Sequence, residues 1–184
     1  MKKVVLITDA VKYPFDNFKR LFNFYYVLIP ILGLIALLGY CVKTIQSIMK
    51  RMDEELPEFG SFADNLRLGF PLAIILLIIA FVLFFLYFVP TLGLIVLIYF
   101  VIIAPILIMQ HAQKGTIASG LDIIEATHMA ATNFVDYIIT YLKVLIVSVI
   151  FLIASIPIVT LIVTVPASSF SKLLLFTDFY RRAR

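Results

Sequence analysis

The chain has 184 residues, of which 63% are hydrophobic and 14% are charged, and its formal net charge is +4. Soluble domains are roughly 45–50% apolar and about 25% charged, so this composition excludes an ordinary soluble domain. Together with a mean hydropathy of +1.11, it predicts an integral membrane protein.

The N-terminal stretch does not predict a cleavable export signal. "MKKVVLI" starts with two lysines, but its apolar run stops at Thr8 after four residues, whereas the apolar core of a signal peptide has about 7–15. Farther on, residues 21–42 are free of charge and suffice for one crossing. The arm before Pro30 is therefore predicted to lie partly in the membrane interface, or to be re-entrant.

The middle of the chain predicts two crossings. Residues 68–113 contain no Asp, Glu, Lys or Arg. As one helix, these residues would extend roughly 70 Å, about twice the thickness of a hydrocarbon core. The reversal is predicted at "YFVPTLG", because Pro90 lacks a backbone donor and suits the first turn of a new helix, while Gly93 relieves backbone crowding.

This proline motif occurs three times, as "LIPILGLIALL" (28–38), "FVPTLGLIVLI" (88–98) and "SIPIVTLIVTV" (155–165). The pattern predicts helical hairpins that turn at Pro30 with Gly33, at Pro90 with Gly93, and at Pro157. The predicted repeats lie within a single membrane domain, 1–184, and cover residues 8–50, 62–113 and 131–180. Alternatively, the matches arise by chance, since Pro and Gly are common in membrane helices.

Polar segments precede each predicted hairpin. In two of them, Asp16-Asn17 and Asp64-Asn65 are expected to start helices, because their side-chain oxygens accept from first-turn amides. The predicted fold class is an all-α integral membrane protein with about six transmembrane or re-entrant arms. These arms form three Pro-turn helical hairpins, joined by amphipathic cytoplasmic connectors.

The distribution of basic residues distinguishes six crossings from four. With six arms, all 15 Lys and Arg residues lie on the side of the termini. Four spans, near 21–42, 70–89, 91–111 and 144–165, would place nine on that side and six opposite. The positive-inside rule favours six arms with cytoplasmic N- and C-termini, in a multi-pass protein of the cell membrane. Both topologies stay open.

One connector carries a weak metal-site candidate. Asp122, Glu125 and His128 follow one another at three-residue spacing, and "EATH" matches the Glu-x-x-His pattern of di-iron helical bundles. Such a bundle needs a second copy of the pattern and further glutamates, which the chain lacks. An amphipathic connector at headgroup level is therefore favoured, and no metal or other cofactor is expected.

Catalytic signatures are not recognised. The sequence has no P-loop, G-x-G-x-x-G, H-E-x-x-H, G-x-S-x-G or C-x-x-C pattern, and the single Cys41 is expected to be a packing residue. The sequence therefore predicts no catalytic or cofactor-binding residues and no enzyme activity.

Four stretches carry a family resemblance: "LITDAVKYPFDNFKRL", "ELPEFGSFADNLRLG", the I-P and V-P turns, and "LLLFTDFYRRAR". Together they resemble a mainly archaeal family of multispanning membrane proteins, known as a domain of unknown function. In that family the L-P-E is usually followed by aromatic residues in a W-x-x-W-like pattern, and these aromatic residues are phenylalanines here. The resemblance implies the fold and an archaeal plasma membrane, and it supplies no site residues.

Two functions are compatible with these features. The first is a non-catalytic accessory or assembly subunit, or a homo-oligomeric membrane component, favoured by apolar spans with little internal chemistry. The alternative is a carrier or channel for a small neutral or lipid-like solute, favoured by hairpin repeats. The expected partners are anionic headgroups at the cytoplasmic face and a membrane protein or a second copy, with no nucleic acid.

Overall fold

The computed structural model describes residues 4–50, 55–86, 88–157 and 160–184. Regular structure in these residues is helical, without strands, so the all-α prediction is confirmed. The α-helices are α1 (Ile7–Lys12), α2 (Phe18–Leu21), α3 (Leu32–Met49), α4 (Phe62–Leu86), α5 (Pro90–Lys114), α6 (Ile117–Gly120), α7 (Ile123–Thr132), α8 (Phe134–Ala154) and α9 (Leu161–Ala183). Two 3₁₀ helices cover Tyr13–Phe15 and Phe22–Leu28.

Five of these helices, α3, α4, α5, α8 and α9, are long and apolar enough to cross a membrane. They confirm the multi-helix membrane class. The arm before Pro30 differs from the other five, because it consists of short helical segments. The arrangement in three hairpins stays a prediction.

The first arm, residues 4–28, extends along α9. At one end the Val5 amide donates to Asp178 Oδ2 at 3.3 Å, and at the other the Tyr25 hydroxyl donates to the Ile162 carbonyl at 2.5 Å. The two contact residues on α9, Ile162 and Asp178, lie roughly 24 Å apart along the helix axis. Pro14 contributes to the segmentation, since it occurs in the first turn of a 3₁₀ helix and cannot donate a backbone hydrogen bond.

The predicted turn residues lie at or beside helix ends. Pro30 is in the bend before α3, Pro90 is the first residue of α5, and Pro157 lies between α8 and α9. Gly33 is in the first turn of α3, and the Gly93 amide donates to the Val89 carbonyl at 2.8 Å.

The predicted helix starts are only partly correct. Asn17 occupies the N-cap position of α2, but its side chain donates to Glu55 instead of capping the helix. Asp64 and Asn65 lie inside the first turn of α4, which begins earlier, at Phe62. The reason is that the Ser61 carbonyl already accepts the Asn65 amide and thereby extends the helix backwards.

Helices α3 and α4 are in backbone contact where two glycines face each other. A Cβ atom on Gly39 would lie 1.8 Å from the Asn65 carbonyl oxygen, and one on Gly69 would lie 1.9 Å from that of Ile35. Any side chain beyond hydrogen would therefore force the helices apart. The pairings Gly39 with Asn65 and Ile35 with Gly69 make α3 and α4 antiparallel here.

Two hydrophobic cores meet at α3 and α9. The first joins the first arm, α3, α8 and α9, and includes Tyr13, Leu21, Leu37, Tyr40, Phe151 and Phe170. The second joins α3, α4, α5, α7, α8 and α9, and includes Ile45, Leu72, Ile75, Ile106, Met129, Tyr137 and Phe179. Helices α3, α8 and α9 contribute to both cores, but only α3 and α9 are half buried, so these two form the centre of the bundle.

Candidate functional site

A polar cavity of about 410 Å³ lies between the C-terminal end of α3 and the N-terminal end of α4. Its lining consists of polar and charged residues with two apolar ones: Lys43, Gln46, Ser47, Lys50, Pro57, Asp64, Asn65 and Leu68. Six polar or charged residues around one cavity are unusual in a chain this apolar. The polar cavity is therefore the candidate functional site.

Asn65 is the most deeply buried residue of the polar cavity. It is 1% exposed, and its amide nitrogen donates to the Phe59 carbonyl at 2.8 Å. Its Oδ1 atom is buried and has no hydrogen-bond partner among the described residues. A buried acceptor without a donor is costly, and this oxygen is closed off from the cavity by the surrounding atoms.

The loop from Glu55 to Phe59 contributes Pro57 to the lining of the cavity and is held by three further side chains, two from α3 and one from the first arm. Lys43 Nζ donates to the Glu58 carbonyl at 2.7 Å and to that of Phe59 at 3.3 Å. Tyr40 donates to the Pro57 carbonyl at 2.8 Å, and Arg20 of the first arm donates to the Leu56 carbonyl. These bonds fix the direction of the Lys43 side chain.

A second polar cluster, the Asp178 clamp, joins the two ends of the described chain. It consists of Val5, Lys143, Asp178, Arg181 and Arg182. Asp178 is 2% exposed and accepts from Arg181 at 2.9 Å, from Arg182 at 3.1 Å and from the Val5 amide. Lys143 donates to the Val5 carbonyl at 2.9 Å. The clamp fixes the first arm to α8 and α9, which indicates a structural role.

Tyrosine hydroxyl groups pair with carbonyls that helix prolines leave free. Pro105 cannot donate to the Val101 carbonyl, and Pro166 cannot donate to that of Ile162. Tyr141 donates to Val101 at 3.1 Å and to Ile102 at 2.9 Å, and Tyr25 donates to Ile162. Neighbouring elements therefore satisfy these backbone groups, as membrane helices require.

Tyr141→Phe is expected to lower the free energy of unfolding by about 1 kcal/mol, because it removes one hydrogen bond to a helix carbonyl. In a Pro105→Ala background, the new backbone amide restores the intrahelical donor to Val101, so the same change is expected to cost less. Equilibrium unfolding of the four proteins of this double-mutant cycle in mixed micelles measures the coupling. Equal costs in both backgrounds would contradict the pairing.

Two of the three weak metal candidates have other partners. Asp122 Oδ1 accepts the Glu125 amide at 2.9 Å and caps α7, while Glu125 forms an ion pair with Lys114. His128 is exposed on α7. Among the described residues, no group of three His, Cys, Asp or Glu side chains is placed to hold a metal ion.

Part of the chain matches a known protein family, and the polar cavity lies in that part. Residues 22–97 match the family model described as "Protein of unknown function (DUF4013)". This match covers less than half of the chain, and it shows that these residues are similar to that family. No curated protein and no solved structure matches the chain.

The DUF4013 region comprises the end of the first arm, α3, α4 and the start of α5. It confirms the predicted resemblance to a domain of unknown function, over a shorter range than the whole chain. All eight residues that line the polar cavity lie in the DUF4013 region, as do Gly39 and Gly69. The Asp178 clamp and α7 lie outside it.

Sequence reasoning did not identify the polar cavity or the Asp178 clamp. The sequence does contain a pattern that indicates the Asp178 clamp. Asp178 precedes Arg181 and Arg182 by three and four residues, and these spacings place side chains on one helix face. For the cavity, Lys43 and Lys50 are two helical turns apart, but nothing local indicates that Asn65 faces them.

Proposed function

We propose that the chain is a non-catalytic membrane component that assembles with a membrane protein or with further copies of itself through α4 and α5. The observation that carries this proposal is their low burial. Within the most apolar 18-residue windows, 17% of α4 and 22% of α5 are buried inside the chain, compared with 50% of α3 and α9. Helix α8 is also 22% buried, but Phe134 is its one exposed aromatic ring, whereas α4 exposes several. Helices that bury so little against their own chain have surface left for a neighbouring helix.

The exposed surface of α4 and α5 is large, apolar and rich in aromatic rings. Its exposed side chains include Leu77, Phe81, Phe84, Phe85, Leu94, Ile95, Ile98 and Val101. The rings of Phe81 and Phe85 pack edge to face with centroids 4.7 Å apart. Contiguous apolar surface of this kind typically marks sites of protein or lipid contact.

The non-catalytic part of the proposal is supported by the roles of buried or paired ionisable groups. Asp178 is committed to Arg181 and Arg182, and Glu125 to Lys114. Residues committed in this way hold the fold together and are poorly suited to proton transfer or nucleophilic attack.

A carrier for a small neutral or lipid-like solute is the second candidate, favoured by the polar cavity. Beside this cavity, however, the backbones of α3 and α4 touch at Gly39 and Gly69. This contact leaves no room for a solute to pass between the two helices at that point, so the geometry supports assembly better than transport.

Cysteine cross-linking in native membranes tests the assembly. In a Cys41→Ala background, Phe84→Cys or Ile95→Cys is expected to give one defined cross-linked species with a short bis-maleimide. The control is Leu34→Cys, at an exposed position of the half-buried helix α3, which is expected to cross-link much less. Native mass spectrometry of the gently extracted protein then identifies the partner. A bare monomer without cross-links at either α4 or α5 would overturn the proposal.

The proposed location is the plasma membrane, with both termini in the cytoplasm and the turn near Pro90 on the opposite side. The support is that all 15 Lys and Arg residues lie outside residues 68–113. In the same Cys41→Ala background, Leu92→Cys is expected to react with an impermeant maleimide from the outside only. Labelling from the cytoplasmic side would refute this orientation.

A further inference from the structure

We propose that the bilayer is locally thinned beside the first arm, where lipid headgroups and water descend from the side of the Asp178 clamp to the height of Asp16 and Lys19. The surface concerned is the exposed side of residues 15–22, named here the polar belt. It carries Asp16 and Lys19 among the exposed rings of Phe15, Phe18 and Phe22. The inference does not rest on the proposed assembly, because the polar belt belongs to the first arm and not to α4 or α5.

Ring contacts fix the height of the polar belt in the bundle. The ring centroids of Phe15 and Phe151 are 6.3 Å apart. Just after the belt, the ring centroids of Phe24 and Phe170 are 6.4 Å apart. Phe151 lies roughly 5 Å before the end of α8, and Phe170 lies roughly 14 Å after the start of α9. The polar belt is therefore held within roughly 15 Å of the end of the bundle where the chain turns from α8 into α9.

Helices α5 and α9 run in the same direction and begin at similar heights. The Thr177 hydroxyl donates to Met109 Sδ at 3.3 Å, and the Tyr180 hydroxyl donates to Gln113 Oε1 at 3.0 Å. Thr177 lies roughly 24 Å along α9, and Met109 lies roughly 28 Å along α5. Counted from the start of α5, the polar belt is thus at roughly 10–20 Å, whereas a hydrocarbon core is about 30 Å thick. In an undisturbed bilayer, the polar belt would lie in the middle of the hydrocarbon.

Helix α4 is suited to a bilayer of ordinary thickness. Residues 68–86 contain no charged side chain and extend roughly 27 Å along the helix, which nearly spans a hydrocarbon core of about 30 Å. From Phe70 to Phe85, the exposed side chains of α4 are apolar. A membrane that matches both surfaces must therefore be thinner beside the first arm than beside α4, and bilayers adjust to a short apolar face by thinning.

Asp16 is the residue that requires water at this height. Lys19 has a long side chain that can carry its ammonium group toward the interface, whereas the Asp16 carboxylate stays beside its own backbone. Both side chains are exposed, so the described part of the chain does not shield them from the membrane. Exposed charge in hydrocarbon is costly, and local thinning with entry of water reduces that cost.

The backbone of the polar belt gives a second indication. Tyr13–Phe15 form a 3₁₀ helix and α2 has only four residues, with Asn17 between them at φ −136° and ψ 81°. Lipid chains offer no partners to backbone groups, so exposed irregular backbone does not occur in hydrocarbon. The exposed rings of Phe18 and Phe22 pack edge to face with centroids 5.4 Å apart. Aromatic rings beside charged groups are typical of elements that lie in the interface.

Arg20 continues the polar surface toward the side of the Asp178 clamp. Its guanidinium group lies 3.4 Å from the carboxylates of Glu55 and Glu58, whose side chains are 54% and 82% exposed. It also donates to the Leu56 carbonyl. These groups belong to the loop before α4. Headgroups and water can therefore reach the polar belt along a continuous polar surface.

Nitroxide quenching in vesicles tests the thinning. In a Cys41→Ala background, Phe18→Cys is labelled with a small fluorophore. The full chain is reconstituted into phosphatidylcholine vesicles that carry a nitroxide either on the headgroup or in the middle of the acyl chain. We expect the headgroup nitroxide to quench this label more strongly than the chain nitroxide. The control is Leu77→Cys, which is 71% exposed and roughly 14 Å from the end of α4, and it is expected to show the reverse order.

Two results at position 18 would overturn the inference. Stronger quenching by the chain nitroxide would mean that the polar belt lies in ordinary hydrocarbon. Quenching by neither nitroxide would mean that a neighbouring protein covers the belt instead of headgroups and water.

Matched charge variants show what draws the headgroups to this height. Asp16→Leu with Lys19→Leu removes the exposed charges without changing the net charge, and it is expected to shift the label at position 18 toward quenching by the chain nitroxide. Asp64→Leu with Arg67→Leu removes an exposed pair of the same spacing at the start of α4, and it is expected to leave the quenching ratio unchanged. An unchanged ratio in the first variant, or an equal shift in both, would refute the role of the polar belt.

Discussion

Gly39→Ala is expected to lower the free energy of unfolding by more than about 3 kcal/mol, which exceeds the usual cost of overpacking a core. The added Cβ would lie 1.8 Å from the Asn65 carbonyl oxygen. Both the glycine and its contact belong to helix backbones, so no side-chain rotation relieves the overlap. The two helices must separate, and this opens the core around Leu72 and loosens the polar cavity.

Alanine normally stabilises a helix by about 1 kcal/mol relative to glycine, so a loss at Gly39 reports the contact and not the helix propensity. Gly69→Ala is expected to behave alike, since its Cβ would lie 1.9 Å from the Ile35 carbonyl oxygen. Ala63→Leu is the control, because it adds bulk at an exposed position of α4. Equilibrium unfolding in mixed micelles measures all three, and an unchanged Gly39→Ala protein would contradict the contact.

Asp178→Asn is expected to cost about 3 kcal/mol, because it leaves two partly buried guanidinium groups without their shared carboxylate. Arg181 and Arg182 have side chains that are only 15% and 18% exposed, so water compensates poorly. The amide of asparagine preserves the shape of the carboxylate and removes its charge. Asparagine keeps one acceptor oxygen for the three donors of the clamp, so the start of the first arm is also expected to be released more easily.

Asp136→Asn is the matched control. Its carboxylate lies 3.9 Å from Arg182 and its side chain is 58% exposed, and exposed pairs contribute about 0–1 kcal/mol. Hydrogen exchange separates the two effects, since the amides near Val5 are expected to exchange faster in Asp178→Asn and not in Asp136→Asn. Equal unfolding free energies of the two variants would refute the role of the Asp178 clamp.

The long helices were predictable because their signal is local. Residues 68–113 contain no charge and exceed one bilayer crossing, and the observed helices α4 and α5 account for most of this stretch. The first arm was harder to predict. Its apolar content suggests a membrane segment, while Pro14 and the polar run after it divide it into short helical pieces. Long-range contacts with α9, α8 and the loop before α4 hold these pieces in line.

The candidate site depends on packing between residues that are far apart in the chain, and local sequence patterns do not reveal this packing. The rule that a proline frees the carbonyl four residues earlier identifies Val101 and Ile162. It does not say that Tyr141 and Tyr25 reach them. Likewise, the local sequence around Asp64 and Asn65 predicts only helix caps. These residues lie beside Lys43 and Lys50 because two glycines let α3 and α4 pack closely, and the local sequence does not show this packing.

The attachment of the first arm to α9 also constrains the order of events during synthesis. The Val5 amide and the Asp178 carboxylate are 173 residues apart, and Tyr25 and Ile162 are 137 residues apart. The first arm leaves the ribosome long before its partners exist, so its apolar side chains must be shielded by lipid, by α3 or by an insertion factor until α9 arrives. Native closure of the bundle is therefore a late step, which cannot be completed before α9 has been made.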